Sequence, residues 1–364
     1  MSKKYILYGI RAFIVLGFLF VIALFLYAPR IYNYFLYRDS VLTIYISRQT
    51  VPEETFLEFE KKTGVRVRIA YFDSNEELLA KLKINRGVGY DLIVSSDYMV
   101  ELLRKDGLLQ RLDHTKLSRF KKLDQRLMNK FFDPGNQYTV PLSWIPYGIA
   151  YNRSIINLDG KSVSWDIIFK PEVLKKLGNY KVSMLNDARE VIFLGAIYLF
   201  GSVDNLTPER LKEVQKLLVN QRPIVESYTE TGAKYLLFAN IVPLAVLPAA
   251  RLKEMGDLKN FGFVIPKEGS LIDVLNIGIS VSCKQPDVAH KLIDFLTSKA
   301  VSAYNFEVFD CNPSNTEAFS LIDRSYFLNK AFFPDKEMFE RLHILHNQIR
   351  PGLLEKVWFS VKSV

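Results

Sequence analysis

YDLIVSSDY, at residues 90–98, is a largely apolar run followed by two small hydroxyl residues, a carboxylate and an aromatic ring. It predicts a strand from Tyr90 to Val94, the third in a strand–helix alternation that runs from Leu42 to Leu103. In open α/β sheets, ligands bind outside the carboxyl ends of the strands. The stretch therefore predicts an α/β fold with a ligand site next to Ser96 and Tyr98.

The flanking sequence carries the signals of regular helices and strands. Pro52 and Gly64 mark the two ends of a helix whose apolar face holds Phe56 and Phe59. Further along, the patterns predict strands at 65–71, 181–185, 242–246 and 274–281, and helices at 187–200, 208–219 and 286–298. The last of these helices is amphipathic, and its inward face is predicted to hold Ala289, Leu292, Ile293 and Leu296. Residues 140–147 contain two prolines and a tryptophan, which predicts an irregular crossover into a second α/β region.

The N-terminus predicts a signal peptide or a membrane anchor with a short linker, over residues 1–39. Lys3, Lys4 and Arg11 precede an uncharged run at 12–28, close to the roughly 20 residues that cross a bilayer. Tyr27-Ala28-Pro29 is a poor cleavage site, so a retained anchor is favoured. We therefore expect residues 40–364 to be extracytoplasmic and tethered to the membrane by this helix.

Composition excludes several classes of protein. The 364 residues are 49% hydrophobic, enough for one large or two medium domains. The net charge of +9 comes from lysines and arginines interleaved with acids, without a basic stripe, so no nucleic-acid partner is expected. Cys283 and Cys311 permit one disulfide but do not require it.

The sequence contains no arrangement of residues that predicts an enzyme. His343 and His346 lack acidic or cysteine residues at metal-ligand spacing, and no phosphate-binding Gly-Lys-Ser or Gly-Lys-Thr loop is present. We therefore expect neither catalysis nor a cofactor nor a metal.

Asp187 and Glu190 are the best candidates for charge recognition. Their i, i+3 spacing puts both carboxylates on one helix face, where they suit an ammonium group. The same spacing is typical of a capping box, in which the acids satisfy the helix's own N–H groups. Both interpretations are open at this stage.

At these residues the sequence resembles the spermidine/putrescine-binding proteins, the extracytoplasmic receptors of polyamine ABC transporters. The motifs that carry the resemblance are shared along nearly all of the chain after residue 40: FEKKTG at 59–64, SNE at 74–76, YDLIV at 90–94, WD at 165–166, KPE at 170–172, DARE at 187–190, Pro313 and Asn315.

The resemblance implies a two-lobed periplasmic binding protein of type II, with a ligand cleft between lobes that close by a hinge. It implies a first lobe of residues 40–143 plus about 275–315, and a second of about 144–274 plus 316–364. Ser96, Tyr98, Asp187 and Glu190 match the family's ligand contacts. The implied partners are a polyamine and the permease and ATPase subunits, and a monomer is expected.

Some family positions differ here. The family's Trp-Thr-Glu-Tyr run is Ser47-Arg48-Gln49-Thr50, which leaves Gln49 where the family has an acid. The family aspartate corresponds to Asp273 or, counted back from the next helix, to Leu275. Arg48 near the cleft would repel an ammonium by about 1 kcal/mol at 4 Å in water.

These differences leave the ligand open. A polyamine receptor is the first hypothesis. The alternatives are the same fold binding another small solute, such as an amino acid, an amine or an anion, and a sensor or surface protein that has lost its pocket.

Overall fold

The computed structural model describes residues 13, 15–18, 40–229, 231–255, 259–324, 333–347 and 349–363. The predicted signal or anchor segment lies outside the described residues, apart from 13 and 15–18. Within the part that is described, no helix is both long and apolar enough to span a bilayer.

Strands and helices alternate along the chain. The strands are β1 (Val41–Ser47), β2 (Arg66–Phe72), β3 (Leu92–Ser96), β4 (Thr139–Asn152), β5 (Val182–Met184), β6 (Val225–Tyr228), β7 (Leu244–Pro248), β8 (Phe261–Val264), β9 (Ser270–Ile279), β10 (Asn312–Pro313) and β11 (Leu342–His343). The helices are α1 (Glu53–Thr63), α2 (Asn75–Asn85), α3 (Asp97–Lys105), α4 (Asp166–Phe169), α5 (Pro171–Lys175), α6 (Ala188–Phe200), α7 (Pro208–Gln221), α8 (Ala233–Phe238), α9 (Pro286–Leu296), α10 (Lys299–Phe309), α11 (Lys336–Phe339) and α12 (Pro351–Lys362).

The strands form one curled sheet in the order β2-β1-β3-β9-β4-β7-β5-β6. We call the part around β1, β2 and β3 the first lobe and the part around β5, β6 and β7 the second lobe. β4 and β9 are antiparallel to each other and belong to both lobes. The carboxyl end of β9 pairs with β3, and the carboxyl end of β4 pairs with β7 and β8. This arrangement is the predicted two-lobed α/β fold. The residue boundaries predicted for the lobes stay a prediction.

Local signals placed α1 and α9 of the first lobe correctly, whereas α3 and α10 were not predicted. Gly64 ends α1 in the left-handed conformation, with φ of 78°, and its N–H donates to the Glu60 carbonyl. Phe56 and Phe59 are buried, as are the predicted apolar residues of α9. Burial of these faces against the sheet gives each helix most of its stability, since short isolated helices are marginal in water.

The irregular structure predicted at residues 140–147 is wrong, because this segment lies within the long strand β4. The chain does cross between the lobes here, as part of that strand. Pro141 lies beside a register shift between Pro141 and Ser143, where the ladder with β9 is already interrupted. Prolines are tolerated in sheets at such bulges. Trp144 continues the strand and pairs with Val274 of β9 on one side and Asn312 of β10 on the other.

The C-terminal segment joins the lobes. α12 packs on α6 and α7 of the second lobe. Asn347, just before it, donates its side-chain N–H to the Tyr98 carbonyl at 2.7 Å and to the Glu101 carboxylate at 3.1 Å, both in the first lobe. Cys283 and Cys311 are buried, free thiols, so the permitted disulfide does not form here.

Candidate ligand-binding site

A cavity of about 400 Å³ lies where β4 and β9 pass between the lobes. Both lobes and the two shared strands contribute to its walls. The lining residues are Ser47, Arg48, Gln49, Thr50, Ile145, Tyr147, Pro248, Ala250, Arg251, Asp273, Leu275, Val308, Phe309 and Cys311.

Asp273 is the one anionic side chain that the described residues contribute to that lining. It lies on β9 opposite Ile145, and Leu275, two residues along the same strand, also faces the cavity. Burial raises the pKa of Asp273 to about 6, because the ionised form loses its hydration. Of the two candidates for the family aspartate, Asp273 supplies the carboxylate that reaches this cavity.

A second carboxylate lies behind the first. Asp97, at the start of α3, is almost completely buried and accepts hydrogen bonds from the backbone N–H groups of Tyr98 at 2.6 Å and Val274 at 3.0 Å. Burial raises the pKa of Asp97 well above its usual range, and the like charge of Asp273 raises it further. The two carboxylates therefore repel each other when both are ionised, and a cation beside them would reduce that repulsion.

Tyr147 links this pair to the acids of the second lobe. Its hydroxyl donates to Glu190 Oε1 at 2.7 Å. Burial raises the pKa of Tyr147 well above normal, and the negative charges of Glu190, Asp273 and Asp187 add to that effect in this order. One phenol of the cavity lining thus lies near three carboxylates, of which Asp273 also lines the cavity.

Asp187 serves as the N-cap of α6, accepting from the N–H groups of Arg189 at 2.8 Å and Glu190 at 3.0 Å. The capping interpretation is confirmed for Asp187. Because Glu190 accepts from Tyr147, its carboxylate is directed towards the site rather than only towards its own helix. A ligand role for either acid stays a prediction.

The end of β3 lies beside this acidic cluster. Tyr98 is buried, and the guanidinium of Arg189 lies 4.2 Å from the centre of its ring. The Ser96 hydroxyl is buried and has no hydrogen-bond partner among the described residues. Neither residue lines the cavity itself, so their predicted contacts with ligand also stay predictions.

The turn after β1 forms another part of the cavity wall. Gln49 has a φ of 58°, and its side-chain oxygen accepts a hydrogen bond from Arg251 Nη1 at 2.9 Å. Since Arg251 belongs to the second lobe, this bond crosses between the lobes. Arg48 also lines the cavity, and its guanidinium lies 4.6 Å from the ring centre of Tyr71, whose hydroxyl donates to Glu53.

The structure thus brings Gln49 and Asp273 to the cavity surface and places the other four predicted residues around them. Tyr147, Asp97 and Arg251 were not predicted. Tyr147 was hidden in the segment interpreted as a crossover. Asp97 was visible in YDLIVSSDY, but a carboxylate that lies behind a binding surface has no sequence signal of its own.

The described residues contain no group of three or more His, Cys, Asp or Glu side chains placed to hold a metal. His346 instead stacks on Phe131, with ring centres 3.5 Å apart.

Residues 54–326 match the sequence profile of the family described as bacterial extracellular solute-binding protein. The chain belongs to this family. Its binding lobes are accordingly extracytoplasmic, and the prediction that it is not an enzyme is confirmed by the membership.

Curated relatives are about 30% identical in sequence to this solute-binding protein. It is 30% identical over 330 residues to the putrescine/agmatine-binding protein of Pseudomonas aeruginosa, covering 86% of this chain and 89% of that one. It is 31% identical over 305 residues to the spermidine/putrescine-binding periplasmic protein of Escherichia coli, covering 82% and 84%. The predicted resemblance is confirmed.

Solved structures agree with the two-lobed fold. The spermidine/putrescine ABC transporter substrate-binding protein of Streptococcus pneumoniae superposes with a TM-score of 0.79 at 27% identity, covering 89% of this chain and 99% of that one. A putative spermidine/putrescine ABC transporter protein of Listeria monocytogenes gives 0.77 at 29% identity, with the same coverage.

Proposed function

We propose that this protein is the substrate receptor of an ABC importer, and that it binds a polyamine in the cavity between its lobes for delivery to permease and ATPase subunits. The observation that carries the proposal is the carboxylate of Asp273 in the cavity lining, with the carboxylates of Asp97, Asp187 and Glu190 around it outside the lining. The names of its relatives support the same class of ligand.

The chemistry of the cluster suits an alkyl ammonium. An ammonium has three N–H donors, and each charge-assisted hydrogen bond to a carboxylate contributes about 1.5–3 kcal/mol. Phe309, Val308 and Leu275 offer apolar surface for the methylene chain. A cation beside Asp273 and Asp97 also relieves the repulsion between those carboxylates.

Two accompanying features are proposed on the sequence alone. We propose that the segment at 12–28 tethers the protein to the membrane and that the binding lobes act as a monomer. Protease treatment of intact cells and the mass of the protein in detergent test these two statements.

Replacing Glu190 with Gln is expected to weaken binding of putrescine and spermidine about tenfold, since one charge-assisted hydrogen bond becomes a neutral one. Isothermal titration of the full chain in mild detergent, unfolded and refolded to remove carried-over ligand, measures this. Glu172→Gln, an exposed acid on α5, is the matched control. Unchanged affinity in Glu190→Gln would contradict a ligand role for Glu190.

Binding is expected to be pH-dependent through Asp273. Its pKa of about 6 means that the carboxylate becomes ionised as pH rises through 6, whereas an alkyl ammonium stays charged up to about pH 10. Affinity should therefore fall at least fivefold between pH 7.5 and pH 5. Titrations at matched ionic strength measure it, and a flat profile would place the ammonium away from Asp273 and Asp97.

The stability of the ligand-free protein should show the opposite trend. The pKa of Asp273 in the folded state lies above its ordinary value of 3.8, so the folded state favours the neutral carboxyl. The free energy of unfolding should therefore be higher at low pH and should fall as pH rises through about 6.

A further inference from the structure

A second cavity lies on the other face of the strands that pass between the lobes, and we call it the rear cavity. Successive side chains of a strand point to opposite faces, and Ile272 of β9 lines the rear cavity whereas its neighbour Asp273 lines the ligand cavity. On β4 the same alternation places Ile145 in the ligand cavity and Trp144 against Phe339 of the rear cavity. The rear cavity has a volume of about 420 Å³, within the range of about 300–1,000 Å³ that is typical of small-molecule sites.

The walls of the rear cavity come from both lobes. One wall is the segment 126–130 of the first lobe, where the carbonyl of nearby Phe132 accepts from Arg104 Nε of α3 at 2.9 Å. Another consists of α11 and β11, which pack on the apolar cluster around β7 of the second lobe. The guanidinium of Arg126 lies 4.0 Å from the centre of the Phe339 ring, so these two walls are in contact.

The charged side chains of this lining are mostly cationic. Arg126, Lys130 and Lys336 line the rear cavity, and Glu340 is the one carboxylate that the described residues contribute to it. Lys336 and Glu340 are both exposed, and their ion pair is long, at 4.0 Å. An anion that enters the rear cavity would therefore meet a net positive charge.

Lys130 has the charge that is least compensated. Its side chain is half-buried, and its ammonium forms no hydrogen bond or ion pair with a described residue. Burial lowers the pKa of Lys130, and the more distant Asp124 acts against that effect. Asp124 already accepts from Arg126, at 3.0 Å from Nε and 2.7 Å from Nη2. A carboxylate in the rear cavity would give Lys130 a charge-assisted hydrogen bond.

The rest of the described lining is apolar, and it consists of Leu127, Ile272, Phe339, Leu342 and Ile344. Removal of apolar ligand surface from water against this wall would favour binding. An acetate ion has too little apolar surface to use the wall, whereas an ammonium would be repelled by Lys130 and Arg126.

We propose that the rear cavity binds a small carboxylate with an apolar body, of about the size of 3-phenylpropanoate. Lys130 holds the carboxylate, and the apolar wall holds the body. Because the walls come from both lobes, the bound molecule contacts both, behind the strands that join them. The site is separate from the ligand cavity, so this inference does not depend on the polyamine proposal.

Isothermal titration of the full chain in mild non-ionic detergent with 3-phenylpropanoate, 3-phenylpropan-1-ol and acetate tests the proposal. The alcohol keeps the apolar body and lacks the charge, and acetate keeps the charge and lacks the body. We expect 3-phenylpropanoate to bind at least tenfold more tightly than either. Titration of each compound into detergent alone corrects for its partition into micelles.

Lys130→Gln is expected to weaken the binding of 3-phenylpropanoate at least tenfold. Lys121→Gln, the same change at an exposed position of the first lobe, is the matched control and should leave the affinity unchanged. Ile344→Trp keeps every charge and fills the apolar part of the rear cavity, so it should also block binding. Circular dichroism establishes that each variant is folded.

Three results would overturn the proposal. The first is absence of 3-phenylpropanoate binding to folded protein, and the second is equal affinity for the alcohol. The third is wild-type affinity in both Lys130→Gln and Ile344→Trp. If binding were then lost in Arg48→Gln, the carboxylate would lie in the ligand cavity instead.

Discussion

Replacing Asp273 with Asn is expected to lower the affinity for any amine at least a hundredfold while making the ligand-free protein more stable. Among the described residues Asp273 supplies the one carboxylate of the cavity lining, so its loss removes the direct partner of the ammonium. The ionised carboxylate is also costly to the fold, because burial raises the pKa of Asp273 and its negative charge in turn raises the pKa of the buried Asp97. Each pKa unit corresponds to about 1.4 kcal/mol, so the gain in unfolding free energy near pH 7 should be about 1–3 kcal/mol.

Isothermal titration and urea unfolding measure the two effects, which have opposite signs. Asp73→Asn, the same substitution at an exposed position after β2, should alter neither. Retained micromolar affinity in Asp273→Asn would move the ammonium to Glu190 and Asp187. A less stable Asp273→Asn protein would mean that the carboxylate supports the fold instead of straining it.

Replacing Trp144 with Ala is expected to lower the free energy of unfolding by about 3–5 kcal/mol, the usual cost of deleting a large buried aromatic side chain. Trp144 is 1% exposed, on the part of β4 that passes between the lobes. Its indole N–H donates to the Pro313 carbonyl at 3.2 Å, and its ring meets Phe339 edge-on with centres 5.3 Å apart. The substitution leaves both a cavity and an unpaired carbonyl.

Urea unfolding of the variant, followed by tyrosine absorbance and circular dichroism, tests this cost. Trp358→Ala is the matched control, because Trp358 is only half-buried on α12 and has Tyr228 as its aromatic neighbour. Its loss should cost about 1–2 kcal/mol. Equal losses in the two variants would mean that the junction between the lobes relaxes around a missing Trp144.

Local signals in the sequence were sufficient for the longer helices α1, α6, α7 and α9 and for about half of the strands. Pro52 and Gly64 delimit α1 closely, and the apolar spacing of α9 predicted the face that is buried. The strand β4 was not predicted, because Pro141 and Pro146 are strand breakers when considered alone. Its pairing with β9, β7 and β8 outweighs that local preference, and no pattern within a short window contains this information.

The candidate site was harder to predict than the fold for the same reason. Glu190 and Tyr147 are 43 residues apart in sequence, and Gln49 and Arg251 are 202 apart, yet each pair is hydrogen-bonded. Resemblance to a family supplied Asp273 and Gln49 as positions. It did not supply Tyr147 or Arg251, because those residues gain their roles only when the lobes come together.

The shared strand β9 also determines when this protein can fold. β3 is synthesised early, but one of its two neighbours in the sheet is β9, at residues 270–279. Such distant pairing makes folding slow, because a long stretch of chain must close before the contact forms. The first lobe therefore has an incomplete sheet until most of the polypeptide has left the ribosome. A nascent chain that remains unfolded for so long is well suited to threading through a membrane before it acquires its shape.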